Sequence, residues 1–123
     1  MVQPVSHDHL GLPRPLDRDL AAAVAETMQA LSTPSRLLIL DCLRRSPQPV
    51  AEIAMAVGME QSAVSHQLRV LRHLGLVIGE RHGRQVIYAL HDEHVGDLLD
   101  EAVGHVEHLR LGTRTTLISV EAT

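Results

Sequence analysis

Hydrophobic residues recur every three to four positions in five segments of this chain, which is the period of an amphipathic helix. Asp17 and Thr33 are suited to helix N-caps, and Pro34 to the first position of a helix. Gly58 and Gly75 are residues that commonly end helices. The predicted helices cover about residues 17–31, 34–46, 51–57, 61–74 and 93–109.

Two segments between the fourth and fifth helices have the apolar, β-branched composition of strands. They cover residues 76–78 and 85–90 and flank a turn at 81–84, which predicts a β-hairpin. A short extended piece is also expected at residues 49–50. The third and fourth helices are joined by about three residues that include a glycine, as in a helix-turn-helix motif. The predicted fold is therefore mainly α with a β-hairpin, a winged helix-turn-helix.

The fourth predicted helix has an outward side of short hydrogen-bonding side chains and one arginine. A helix that enters the major groove of DNA needs such a surface, and its first turn presents free backbone N–H groups to phosphate. Another arginine, at the hairpin tip, is placed to contact the DNA backbone or the minor groove. The candidate DNA-binding residues are Gln61, Ser62, Ser65, His66, Arg69 and Arg84.

The composition is that of one domain with an aliphatic core. The chain has 123 residues, of which 45% are hydrophobic, and Tyr88 is its only aromatic residue. We predict a flexible arm at 1–15, rich in proline and polar residues, the winged helix-turn-helix domain at 16–110, and a disordered tail at 111–123.

The sequence favours a cytoplasmic location. No apolar run approaches the roughly 18 residues that span a membrane, and the N-terminus lacks a signal-peptide pattern, so no membrane partner is expected. The single cysteine, Cys42, fits a reducing compartment. It lies in an apolar stripe and is expected to be a buried small hydrophobe.

The charges are separated along the chain, although the net charge is −4. Residues 61–90 carry four arginines and one glutamate, a local charge of +3, whereas residues 91–109 carry six acidic residues and no lysine or arginine. A basic segment can face phosphate while an acidic one attracts cations. The separation therefore indicates two sites with different partners.

The acidic segment contains two short histidine motifs, Asp92-x-His94 and His105-x-x-His108. On one helix, His94 and His105 point roughly the same way but lie about 16 Å apart along the axis. A single metal ion, with ligands at about 2 Å, cannot be reached from both ends. An antiparallel second copy would place Asp92 and His94 beside His105 and His108 of the partner subunit. The spacing predicts a metal site that exists only in a dimer, and two such sites by symmetry.

The predicted ligands do not distinguish between three metals, because imidazole and carboxylate groups suit zinc, nickel and cobalt. Four ligands satisfy tetrahedral Zn(II), whereas Ni(II) and Co(II) prefer more. The arm offers His7 and His9 as additional candidate ligands. The alternative is an arm whose histidines have no ligand role.

Three parts of the sequence together resemble the ArsR/SmtB family of metal-sensing winged-helix repressors. They are residues 31–36, residues 59–72, which contain the pattern Ser-x-x-Ser-His-x-Leu-x-x-Leu, and the hairpin. The resemblance covers about residues 17–110. The histidine pattern of the last helix is similar to that of family members with an interfacial site on the C-terminal helix, and most of all to the nickel/cobalt sensors.

This resemblance implies a homodimer, formed through the first and last helices, that binds double-stranded operator DNA and represses a metal efflux or resistance gene. Binding of Ni(II) or Co(II) would then release the repressor from DNA. The alternative is a zinc-responsive repressor of the same fold that uses only the four-ligand site. The chain departs from family patterns twice: residues 50–55 lack a cysteine pair, and Arg110 stands where the nickel-sensor type has a further histidine.

The main alternative from a different functional class is an enzyme. The sequence shows no nucleophile motif and no phosphate-binding loop, and a metal-dependent hydrolase would leave the basic helix and wing unexplained. We therefore expect neither an enzyme nor a protein substrate. A metal storage protein would not need a DNA-reading helix. A repressor that senses a different signal remains an alternative.

Overall fold

The first unit of the chain, Met1–Ser32, contains helix α1 (Arg18–Ala30). Its N-cap is the predicted one, because the Asp17 carboxylate accepts a hydrogen bond of 2.8 Å from the backbone N–H of Leu20. The computed structural model describes residues 14–122, with the side chains of residues 14–112. His7, His9 and nearly all of the predicted arm lie outside the described residues.

The second unit, Thr33–Thr123, begins with helix α2 (Pro34–Arg45), which is followed by α3 (Val50–Val57) and α4 (Gln61–His73). Thr33 caps α2 through a bond of 3.4 Å from the backbone N–H of Arg36. As predicted, a glycine in the left-handed conformation, Gly58 with φ 70°, ends α3. Helices α3 and α4 form the helix-turn-helix.

Three antiparallel strands follow the order β1-β3-β2, with β1 at Gln48–Pro49, β2 at Val77–His82 and β3 at Gln85–Leu90. The predicted hairpin is confirmed, but it gains β1 as a third strand through the pairs Gln48↔Tyr88 and Pro49↔Ile87. The proline is tolerated because β1 is an edge strand. Strand β2 is longer than predicted, since the turn needs only residues 83–84.

The core of the second unit is aliphatic and holds α4 against its neighbours. Its fully buried side chains come from each helix of the helix-turn-helix, from α2 and from β2, and they are Ile39, Leu40, Ile53, Val64, Leu68, Leu71 and Val77. Cys42 is buried and free, as expected. Removal of this apolar surface from water is the main force that holds α4 in place.

The last helix, α5 (Glu93–Ala122), is longer than the sequence predicted. The predicted end near Leu109 is wrong because no proline follows to interrupt the i→i−4 hydrogen bonds, and Gly112 alone does not stop the helix. Val95 and Leu99 are the buried side chains that anchor the first part of α5. Among the described residues, none of the helices combines the length and the hydropathy that a membrane span requires.

Candidate DNA-binding surface and metal site

Helix α4 presents the predicted polar side to solvent. Four of the candidate residues on it are exposed and Ser65 is half-buried, the exposed ones being Gln61, Ser62, His66 and Arg69. The opposite side is anchored by Val64, Leu68 and Leu71, each with 0% of its surface exposed. Burial of one side thus fixes the rotation of α4 and leaves the hydrogen-bonding side chains free to meet a ligand.

The wing, strands β2 and β3 with their turn, places exposed arginines beyond the helix-turn-helix. Gly83 has φ 65°, a conformation that glycine adopts without a steric penalty, and Arg84 follows it at the tip. Arg81 is also exposed, and His82 Nε2 lies 2.8 Å from Glu80 Oε1. The tip is therefore a positively charged projection that can contact phosphate.

A contact between distant residues supports α4 from the side. The Arg36 Nε of α2 donates a hydrogen bond of 2.7 Å to Oε1 of Gln67. Gln67 is half-buried, so it is a structural residue of this side of α4. The two residues are 31 positions apart, so no local pattern could have revealed their contact.

At the start of α5, two histidine side chains and one backbone N–H lie around Asp92. One carboxylate oxygen, Oδ1, accepts a hydrogen bond of 3.3 Å from the backbone N–H of Val95 and lies 3.7 Å from His94 Nδ1. The other, Oδ2, lies 3.0 Å from His91 Nδ1. The hydrogen bond with His91, and then that with Val95, lowers the pKa of Asp92, so the group stays ionised and able to bind a cation.

His94, His105 and His108 are all exposed and lie on the single continuous helix α5. His94 has 92% of its side-chain surface exposed. The middle part of the helix also exposes large apolar side chains, namely Val103, Val106, Leu109 and Leu111. Among the described residues of one chain, no group of three or more His, Cys, Asp or Glu side chains could hold a metal ion.

One guanidinium ties α5 to α2. Arg44 forms ion pairs with Asp41 of its own helix and with Asp100 of α5, and Arg45 lies 3.3 Å from Asp41 Oδ2. The hydrogen bond with Asp41, assisted by the charge of Asp100, raises the pKa of Arg44. Sequence reasoning missed this contact because Arg44 and Asp100 are 56 positions apart.

Residues 33–78 match the family model of bacterial regulatory proteins of the arsR family. The chain is 65% identical over 98 residues to the HTH-type transcriptional regulator NmtR of Mycobacterium tuberculosis, covering 80% of this chain and 82% of that protein. It is 42% identical over 95 residues to a transcriptional repressor SmtB homolog of Synechocystis, covering 77% and 72%.

Solved structures agree with these sequence matches. The solution structure of apo-NmtR matches with a TM-score of 0.68 and 58% identity over 89% of this chain and 92% of that chain. The homodimeric winged helix-turn-helix DNA-binding domain of Mb0332 from Mycobacterium bovis matches with a TM-score of 0.70 and 31% identity, covering 79% and 92%. The predicted winged helix-turn-helix fold is therefore confirmed.

Proposed function

Because this chain belongs to the arsR family of bacterial regulatory proteins and is a transcriptional regulator rather than an enzyme, we propose that it is a metal-responsive repressor. As a homodimer it binds operator DNA, and Ni(II) or Co(II) releases it, which derepresses metal efflux or resistance genes. The observation that carries the proposal is the placement of His94, His105 and His108, all exposed, along one continuous helix that Asp92 caps.

DNA binding is supported by the exposed polar side of α4 and the cationic wing. Arg69 is the side chain suited to bidentate contact with a guanine edge, and Gln61, Ser62, Ser65 and His66 are suited to further hydrogen bonds in the major groove. Arg84 at the wing tip suits a phosphate contact. A dimer would offer two such surfaces, and each recognition helix would read one half-site about 34 Å from the other.

Dimer formation is supported by apolar side chains that each unit leaves exposed. The first unit exposes Leu16, Val24 and Met28, and α5 exposes Val103, Val106, Leu109 and Leu111. Burial of these exposed apolar side chains against a second copy would be favourable. The homodimeric domain of Mb0332 is a structural precedent within the same fold.

The donor set fits a borderline divalent cation. Asp92 and His94 of one protomer would hold the ion together with His105 and His108 of the partner subunit, because these pairs lie too far apart on one helix to share an ion. Imidazole nitrogen with one carboxylate suits nickel, cobalt and zinc, and a bound ion would join the two α5 helices. His91, which contacts Asp92, is suited to orient that carboxylate rather than to ligate.

The preference for Ni(II) or Co(II) rests on the resemblance to the nickel/cobalt sensors and on a supply of further ligands. His7 and His9 in the arm are the candidates for completing a six-coordinate site. The second candidate function is a zinc-responsive repressor that uses the four-ligand site alone, since four ligands satisfy zinc. A cytoplasmic location follows from the proposed regulation of DNA.

The proposed switch is a coupling of two binding equilibria. The metal-bound dimer would be held together through Asp92, His94 and the histidines of the partner subunit. Release requires this metal-bound dimer to bind DNA more weakly than the metal-free dimer does. A small change in the angle between the α5 helices would alter the separation of the two α4 helices. By linkage, operator DNA must weaken metal affinity by the same factor.

The test is a fluorescence-anisotropy titration of the protein on the DNA upstream of its own gene, alone and with Ni(II), Co(II) or Zn(II). We expect Ni(II) and Co(II) to weaken DNA binding by about 5- to 150-fold, the usual range of allosteric coupling. The double variant His105→Ala/His108→Ala should lose this response, whereas His73→Ala, which removes an exposed imidazole from the end of α4, should keep it. A full response in the double variant would contradict the site assignment.

Deletion of residues 1–9 separates the two candidate functions. Loss of the nickel response with retained zinc binding would favour a site completed by His7 and His9. A nickel response of unchanged size would show that the arm supplies no required ligand. A response to zinc alone in the intact protein would favour the zinc-responsive alternative.

A further inference from the structure

Helix α2 contacts both functional parts of the second unit, one at each end. Near its N-terminus, Arg36 donates the 2.7 Å hydrogen bond to Gln67 on α4. Near its C-terminus, Arg44 pairs with Asp100 on α5. Arg36 and Arg44 are eight residues apart, which is about 12 Å along a helix axis. One helix therefore links the DNA-reading helix to the helix that carries the candidate metal ligands.

The contact between Arg44 and Asp100 lies at the boundary between the partly buried and the exposed segments of α5. Val95 and Leu99 are 6% and 5% exposed, whereas every side chain from Asp100 to Leu111 is exposed. Among the described residues, Asp100 is the last side chain of α5 with an ion pair or hydrogen bond to another element. Its pairing with Arg44, next to the buried Val95 and Leu99, is thus the last such contact among the described residues before the part of the helix that carries His105 and His108.

The contact at the α4 end lies among the candidate DNA-binding residues. Gln67 directly follows His66 and stands two residues before Arg69, and its amide is held by Arg36. Arg36 belongs to the first turn of α2, which Thr33 caps. A displacement of α2 would therefore act on α4 through this hydrogen bond, next to the side chains that are proposed to contact DNA.

Helix α2 is an uninterrupted helix whose middle is packed into the core. Between its two arginines it buries Ile39, Leu40, Cys42 and Leu43, and its segment contains no glycine and no interior proline. Such a helix transmits a displacement from one end to the other because it is close-packed along its length and cannot bend cheaply.

We propose that α2 couples metal binding to DNA release, with Arg44 and Arg36 as positioning residues at its two ends. A change in the angle of α5 is passed through Asp100 and Arg44 to α2, and through Arg36 and Gln67 to α4. This inference rests on the proposed function, and it names the path by which the metal site acts on the recognition helix.

The experiment measures DNA affinity with and without Ni(II) for wild type, Arg44→Gln, Asp100→Asn and the double variant. The ratio of the two affinities is the metal response. We expect each single variant to reduce this ratio by about two- to fivefold, the scale of an exposed ion pair, with metal affinity and metal-free DNA affinity close to wild type. The double variant should lose no more than Arg44→Gln alone, because Arg44→Gln already breaks the contact with Asp100 together with the contact with Asp41.

Matched variants separate a positioning role from a general charge effect. Glu101→Gln removes the same charge one residue along α5, at a side chain without an ion pair among the described residues, and should keep the full response. Asp100→Glu retains a carboxylate and should keep most of it. At the other end, Gln67→Met removes the amide that Arg36 contacts and should lower the response in the same way.

Each outcome is decisive. An unchanged ratio in Arg44→Gln and Asp100→Asn, with a responsive wild type, would overturn the inference and leave the proposed function intact. Loss of metal affinity in Asp100→Asn would also overturn it, because Asp100 would then belong to the metal site. A wild type that does not respond to Ni(II), Co(II) or Zn(II) would refute the proposed function and this inference with it.

Discussion

The backbone N–H of Val95 donates a hydrogen bond of 3.3 Å to Oδ1 of Asp92, so a candidate metal ligand is also the cap of the helix that carries the candidate histidine ligands. The cap satisfies one of the free N–H groups in the first turn of α5. Asp92 is thereby held at the helix start, beside His94. The observed capping role and the proposed ligand role coincide in one carboxylate, and a suitable pair of substitutions separates them.

Asp92→Asn should weaken metal binding while it preserves stability. Asparagine caps helices about as well as aspartate but lacks the anionic oxygen that binds a cation. Asp92→Ala should weaken metal binding and also lower the free energy of unfolding by about 1 kcal/mol, the usual cost of a lost cap. Metal titration and urea denaturation of both variants measure the two effects. Equal metal affinity in wild type and Asp92→Asn would contradict the ligand role.

Arg69 and Arg84 should affect DNA binding in different ways. Arg69→Ala on α4 should weaken operator binding by about 1–3 kcal/mol and leave binding to unrelated DNA nearly unchanged, since a base contact carries sequence information. Arg84→Ala at the wing tip should weaken binding to all DNA and reduce the salt dependence by about one phosphate contact. Anisotropy titrations at several salt concentrations distinguish the two. An unchanged salt slope for Arg84→Ala would argue against its phosphate contact.

Leu68→Ala should destabilise the fold, because Leu68 is fully buried on the inner side of α4. Removal of its side chain from a close-packed core typically costs about 2–5 kcal/mol. The matched control is Met55→Ala on α3, where the side chain is 84% exposed, and where we expect a change within about 0.5 kcal/mol. Denaturant unfolding monitored by circular dichroism gives both values. Similar stability losses in the two variants would contradict the assigned core.

Local features of the fold could be predicted from the sequence, whereas long-range contacts could not. The caps at Asp17 and Thr33 act within three residues, and the burial of Leu68 follows from helical period, so each is encoded in a short window. The pairing of Gln48 with Tyr88 depends on how distant segments meet in space. Helix α5 continues beyond Leu109 because no proline interrupts it. The sequence did not predict this continuation, because the helix signals after Leu109 are weak.

The same contrast between local patterns and long-range contacts applies to the candidate sites. The spacing of His94, His105 and His108 is visible in the sequence, and so is the polar side of α4. The contacts of Arg36 with Gln67 and of Arg44 with Asp100 span 31 and 56 positions, and only the folded chain brings these side chains together. They involve charged and amide groups whose partners no periodic pattern specifies.

The most direct test of the shared metal site is complementation between two inactive chains. One chain carries Asp92→Asn and His94→Ala, the other carries His105→Ala and His108→Ala, and heterodimers are isolated with two different affinity tags. Neither homodimer should bind Ni(II) tightly, whereas the heterodimer should bind one ion per dimer, because one of its two sites is complete. A heterodimer that binds no ion, or a homodimer of either variant that keeps wild-type affinity, would contradict a site built from two protomers.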